Sequence, residues 1–518
     1  LQGLGASGGI INIITKHAPR KDGDSFHDVS LSASSALSHE DDSLGYRGSY
    51  LFGTRQGVFD FVGGASYASE ALYYDGNGNP LAINAVQGDL MDSRSHNLFA
   101  KGGWNIDDDR RLQLTANRYQ LQGNNDYVVV NGDAVNGIPA SSERGNPEGE
   151  GPRNRTTSVV VDYTDKSLGG GYLQAQLYWV DFSALYGGSD WGDFWGDGRD
   201  LNWYDQSQNL SEKLGGKFSW SRGDLFGLRL RATLGLDLAR DTTSQELIQA
   251  GLSWVPETVY QSWSPFVQAE YWIGDSFSLS GGLRQERGTL EVDTFTTLDF
   301  YGPVTVQGGE PEFTETLPNA GAVWYLTEAV NVFASYSEGY TMPDVGRVLR
   351  GIDEPGLDVD SFLDLAPVIA DNREIGIEYA DPSFDARISA FYSDADNGAR
   401  LQFDPVNQVF RVSRERTEID GIEARVGWTP GEATRLSLGY AAIDGRSDVD
   451  DDGRVESDLD GANISPDRLN LGWTQGWGSA WAGDWSTHLQ LNHYIDRDFE
   501  RLGVANGSFE GYTTADAF

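Results

Sequence analysis

Three stretches of this 518-residue chain carry residue types at spacings that could do chemistry. Gly5-Ala6-Ser7-Gly8-Gly9 matches the Gly-x-Ser-x-Gly pattern, in which a serine on a sharp strand-to-helix turn becomes a nucleophile. The flanks argue against it, because a β-rich run, Ile10–Thr15, follows where the elbow needs a helix, and no His/Asp constellation accompanies it. Asp448, Asp450 and Asp452, followed by Gly453, have the spacing that opens a calcium loop. An EF-hand would place Glu at the twelfth position, where Leu459 stands, and would flank the loop with helices. The stretch therefore reads first as a solvated acidic loop and second as a calcium site. Asp75-Gly-Asn77-Gly-Asn79-Pro80 reads as a turn cluster. The six His are scattered without zinc spacing, and with no Cys there is no thiolate site or disulfide. No catalytic residue emerges, so the expectation is a chain that is not an enzyme and has no intrinsic cofactor.

The elements around these stretches are more informative. Leu228, Leu230, Ala232, Leu234, Leu236 and Leu238 alternate with Arg229, Arg231, Thr233, Gly235, Asp237 and Ala239. The same period of two recurs in Tyr172–Trp179, Leu112–Asn117, Phe277–Leu283, Ala386–Tyr392, Leu436–Ala442, Leu469–Trp473 and Leu489–His493. Successive side chains of a strand point to opposite faces, so each segment has one apolar and one polar face. The segments read as roughly nine to eleven residues, the length a tilted strand needs to cross a bilayer. Short connections (Asp107–Arg110, Gly274–Ser276, Thr327–Ala329, Asp381–Phe384, Pro430–Thr434) alternate with long ones near 121–155, 183–212, 241–261, 290–313, 339–373 and 445–465. Tight turns at one end and long loops at the other are the pattern of an outer-membrane barrel. Tyr119, Trp179, Phe182, Trp220, Trp263, Tyr336, Phe391, Tyr440 and Trp473 are expected where strands meet long loops, at headgroup level. The 64 Gly fit many turns, and a formal charge of −40 excludes nucleic-acid binding, which needs cations against phosphate. An anionic ligand would need local Arg or Lys against that field.

Several segments together resemble one family. Gly3–Lys16 reads "GLGASGGIINIITK" and resembles the end of the plug domain of TonB-dependent receptors. Ser264–Leu283, Asn331–Pro343 ("NVFASYSEGYTMP"), Asn372–Ile388 with "NREIGIEY", Gly421-Ile-Glu423 and Gly461–Trp473 resemble barrel segments of the same family, in order. The resemblance implies an all-β fold: a transmembrane antiparallel β-barrel of the 22-stranded receptor type, incomplete here, with a short remnant of the N-terminal plug domain. Residues 1–17 are then the plug end and 18–518 the barrel. A TonB box and most of the plug are expected upstream. Because Asp516, Thr514 and Tyr512 do not give "GYTTADAF" an apolar terminal face, further strands are expected after Phe518.

The resemblance further implies a bacterial outer-membrane receptor, monomeric and surrounded by outer-membrane lipid, that imports a ferric siderophore with energy from a TonB–ExbB–ExbD complex. Tyr340–Arg350, "YTMPDVGRVLR", looks most like receptors for ferric aerobactin and related hydroxamate or carboxylate siderophores. The same architecture would serve cobalamin, haem or a glycan, or a passive porin. A siderophore already satisfies its iron, so the receptor needs cations, hydrogen-bond donors and aromatic surface rather than metal ligands. Arg347 and Arg350, with Tyr340, are the candidate polar contacts, and Tyr186, Trp191, Trp195 and Tyr204 the candidate aromatic ones. Gly3, Gly5, Gly8 and Gly9 suit the tight turn at the plug end.

Overall fold

A strand with one apolar face must cover that face and pair its backbone on both edges. The computed structural model meets both demands with one antiparallel sheet of 21 strands among its described residues. Those residues are 14–37, 42–84, 86–133, 136–195, 198–298, 303–352, 355–361, 366–404, 409–461, 463–480 and 483–518. The sheet is an up-and-down meander. Ser25–Ser34 pairs with Gly45–Gln56, that strand with Phe59–Glu70, and so on to Gly483–Tyr494 and Tyr512–Ala517. No helix among the described residues is long and apolar enough to cross a membrane.

The two faces of the wall are inverted relative to a water-soluble sheet. Leu234 (53% exposed), Leu283 (51%), Ile375 (59%) and Ile388 (49%) stand on the outer face, while Asp60, Lys101, Arg284 and Glu286 are buried on the inner one. A lipid-facing exterior and a polar lumen produce this inversion. Asp60, Arg284 and Glu286 each have a partner of opposite charge. Arg111 reaches Asp60 with two N–H groups at 2.6 and 2.9 Å, and Arg284 bridges Asp237 at 2.7 Å and Glu286 at 2.9 Å.

Short turns close one end of the wall. In two of them an aspartate folds back onto the turn: Asp107 accepts from the amides of Asp109 and Arg110, and Asp381 from those of Ser383 and Phe384. The Tyr379 hydroxyl, helped by Ser383 and Phe384, lowers the Asp381 carboxyl to about 2. The other end carries the long connections 71–92, 124–152, 186–206, 293–311, 342–367 and 448–467.

Three expectations need correction. Strands are longer than a bilayer crossing requires: Leu252–Ile273 has 22 residues and Val409–Gly431 has 23. The expected long loop 241–261 is strand on both sides of a tight turn, because Leu230–Leu247 and Leu252–Ile273 stay paired to their tips. Alternation fades there because Val255, Thr258, Val259 and Tyr260 are all buried under other loops, so the solvent-facing half of the pattern is lost. The aromatics, finally, mark both ends of the wall. The Trp220 indole donates to the Leu168 carbonyl in a short turn, and Trp473 pairs with Leu436 two residues past another.

Gly3, Gly5, Gly8 and Gly9 lie outside the described residues. From residue 14 the chain runs along the lumen wall. Lys101 donates to the Thr15 hydroxyl at 2.9 Å, and Arg55 to the Pro19 carbonyl at 2.8 Å.

Candidate functional site in the outer mouth of the barrel

The strands Tyr172–Leu185, Ser207–Arg222, Leu230–Leu247, Leu252–Ile273 and Phe277–Val292 are consecutive neighbours in the sheet. Two apolar clusters hold loops against their long-loop ends. In the first, Leu290, Val292, Val306, Val348, Leu349 and Ile352 pack around Tyr260. In the second, Phe194, Leu247 and Leu298 are surrounded by Trp191, Trp195, Trp203 and Trp254. Val348 and Leu349 are the buried side of a one-and-a-half-turn helix, Val345–Arg350, capped by Asp344, which accepts from the Arg347 amide at 3.0 Å. Burying those two residues leaves Arg347 and Arg350, three apart, on a shared side of the helix.

Between the two clusters lies a cavity of about 740 Å³. It is lined by Tyr186 and Trp191 from one side, by Asn209, Asp241, Gln245, Trp254 and Tyr260 from the wall, and by Arg347 and Arg350 from the helix. That volume suits a ligand of several hundred daltons. The Arg350 guanidinium lies 4.2 Å from the centre of the Trp254 ring and donates to Gln245 at 2.8 Å. Arg347 is paired with Asp344 at 3.2 Å. The lining carboxylates are neutralised as well: Asp241 meets Lys213 at 2.9 Å, and Asp205 accepts four N–H groups. The mouth thus offers two oriented guanidinium groups between aromatic walls, in a chain that is otherwise strongly acidic. Such an arrangement binds anionic oxygens and planar groups.

Of the residues singled out in the sequence, the fold brings Arg347, Arg350, Tyr186 and Trp191 onto this cavity. Tyr340 lies beneath it, 2% exposed, its hydroxyl 3.2 Å from that of Tyr260. Trp195 is set back in the aromatic cluster, 5.0 Å from Phe194 and 5.4 Å from Trp203, with Arg199 over its ring at 4.6 Å. Tyr204 also stands away from the cavity and donates to the Glu148 carbonyl. Burial raises its phenol above the ordinary range, and the charges of Glu148 and Asp205 add to that. Sequence reasoning missed Trp254 and Gln245 because both fall in the span read as a loop. The polar face of Leu230–Leu238, continued in phase through Asp241 and Thr243, is the signal that would have reached Gln245.

Asp448, Asp450 and Asp452 form a separate acidic group, each offering an oxygen within 4.8 Å of the others. The buried member, Asp448, already accepts the amides of Asp452 at 3.2 Å and Gly453 at 2.9 Å. The carboxylate that would face a cation therefore also closes its own turn.

Residues 102–518 match the family model described as TonB dependent receptor-like, beta-barrel. The chain is 23% identical to the ferric aerobactin receptor of Klebsiella pneumoniae, over 100% of this chain and 73% of that protein. It is 24% identical to the rhizobactin receptor of Rhizobium meliloti (strain 1021), over 100% of this chain and 72% of that one. Among solved structures, the ferric yersiniabactin uptake receptor of Yersinia pestis superposes with a TM-score of 0.71 at 14% identity, covering 99% of this chain and 74% of the other. The copper transporter OprC superposes with a TM-score of 0.72 at 14% identity, covering 97% and 73%. At these identities the superpositions speak for the fold, and the match over most of the chain speaks for descent: the protein belongs to the TonB-dependent receptor β-barrel family.

Proposed function

We propose that this barrel binds a ferric siderophore in its outer mouth and imports it across the outer membrane, iron travelling inside the cargo, with energy supplied by a TonB–ExbB–ExbD complex acting on the N-terminal region. Within that class, the cargo is a hydroxamate or carboxylate siderophore. One observation carries the reading: the cavity where Arg347 and Arg350 project between Tyr186, Trp191 and Trp254. An iron chelate with outward carboxylate or hydroxamate oxygens matches oriented guanidinium groups, and its organic backbone matches the aromatic walls. The names of the relatives, ferric aerobactin and rhizobactin receptors, agree with this chemistry.

The test is a titration of the full-length receptor with ferric aerobactin, read by quenching of tryptophan fluorescence. Replacing both arginines by alanine removes charge-assisted contacts, so the Kd should rise roughly 10- to 150-fold. An unchanged affinity in the double variant would remove the arginines from the site. Failure of the wild-type receptor to bind any ferric siderophore in a panel would remove the cargo assignment itself.

A further inference from the structure

The cavity has one wall that is built before any ligand arrives, and its construction centres on Asp205, a buried residue at the cavity's edge, and on Gln206 behind it. Asp205 and Gln206 are each 1% exposed, although they follow a long loop at the mouth of the barrel. One Asp205 oxygen accepts from the amides of Gln206 at 2.7 Å and Gln249 at 3.0 Å. The other accepts from the Ala250 amide at 3.0 Å and the Trp203 indole at 3.1 Å. The Gln206 side chain donates to the carbonyls of Glu150 at 2.8 Å and Tyr186 at 2.9 Å, and accepts from the Glu150 amide at 2.9 Å and the Gln249 side chain at 3.2 Å. Its backbone amide also meets the Gln249 side chain at 2.8 Å. Two adjacent side chains thus satisfy polar groups of three connections: 124–152, 186–206 and the 248–251 turn. A surface loop would ordinarily leave these groups to water.

We infer that Asp205 and Gln206 are positioning residues for cargo recognition: they lock three outer loops into one rigid unit and so fix the aromatic wall before binding. The geometry says why. Trp191, from the 186–206 connection, and Trp254, from the strand Leu252–Ile273 just past the 248–251 turn, both line the cavity, and their rings meet at 5.0 Å with an interplanar angle of 80°. Trp254 carries the Arg350 guanidinium on its face. Asp205 ties Trp203 of one connection to Gln249 and Ala250 of the other, and Gln206 ties both to Tyr186 and Glu150. A ligand meeting a preformed wall loses less conformational freedom than one that must assemble it. Cargo recognition on this side is therefore set by loop architecture as well as by the residues in contact.

This inference rests on the proposed cargo, so its experiment separates the two. Asp205→Asn turns an amide donor onto two of the four N–H groups, and Gln206→Met keeps length while removing every polar contact of the side chain. In cells carrying the full-length receptor, uptake of ferric aerobactin is measured against concentration, alongside receptor abundance in the outer membrane. A buried donor or acceptor left unpaired is worth roughly a 5- to 150-fold change. The expected result is a KM raised into that range, with maximal uptake per receptor retained and rapid proteolytic cutting in the 186–206 loop that saturating ferric aerobactin suppresses. An unchanged KM in both variants, or a fall in maximal uptake with KM unchanged, overturns the positioning role. Absence of uptake by the wild type overturns the cargo reading first.

Discussion

Leu234 and Thr233 are neighbours in one strand, yet the inverted faces of the wall predict opposite responses to the same substitution. Leu234 is 53% exposed on the outer face, between Trp220 and Val267 of the adjoining strands. It lies four residues past Leu230 at the short-turn end, which is about 13 Å along the strand and, at a tilt near 40°, roughly 10 Å in depth. The apolar band of such a barrel is about 25 Å tall, so Leu234 sits close to its middle. Leu234→Arg should then cost about 2–4 kcal/mol, whereas Thr233→Arg, pointing to the lumen, should cost below about 1 kcal/mol. Reversible urea titrations of the full-length barrel in phosphatidylcholine vesicles measure both, with tryptophan emission as the signal. Equal costs for the two variants, or a Leu234→Arg variant within about 0.5 kcal/mol of wild type, would refute the assignment of faces and the placement of the cavity inside the barrel.

Two further outcomes follow from the pairs that hold the wall together. Arg284→Met strands Asp237 and Glu286 on the lumen side without their shared cation, and breaking a buried pair costs about 3–5 kcal/mol. The same urea titration should show that loss, and adding Glu286→Gln should recover part of it. The Asp381 turn should be unusually acid-resistant: its carboxyl is lowered from 3.8 to about 2 in the folded protein. A depressed carboxylate contributes stability that is fully present above its unfolded value and is lost as pH falls through its folded value. Hydrogen-exchange protection at the Ser383 and Phe384 amides should therefore hold at pH 4 and disappear toward pH 2; loss already at pH 4 would contradict the hydrogen-bonding assigned to this turn.

What could be read from the sequence followed from how many neighbours each segment has. Leu230–Leu238 meets lipid on one side and lumen on the other, so its residue types alternate and the strand was legible. Leu252–Tyr260 meets packed loops, and Val255, Val259 and Tyr260 are buried together, so the same element lost its signature and read as a loop. Arg347 and Arg350 were legible as cations beside an aromatic strand end. Their partners were not, because Trp254 and Gln245 lie about a hundred residues upstream and meet them only when the helix folds over the mouth. Asp205 and Gln206 looked like ordinary loop residues, since nothing local marks side chains whose hydrogen bonds reach residues 150, 186, 249 and 250.

The charge of the chain and the charge of its cavity are then two separate quantities. A formal −40 sets up a field that repels an anionic chelate. Much of it belongs to loops in water, where screening operates within about 8 Å at physiological salt. Inside the mouth, where screening is weaker, each lining carboxylate has its own local compensation: Lys213 for Asp241, Arg347 for Asp344, and four N–H groups for Asp205. The short-range landscape a ligand meets is therefore governed by Arg350 on its tryptophan and by the donor edge of Arg347, while the long-range field slows encounter. On this account raising ionic strength speeds cargo association, because the repulsive approach is screened more than the enclosed contacts are. Association rates that fall with added salt would mean that a cationic funnel, and not the enclosed pair of arginines, governs capture.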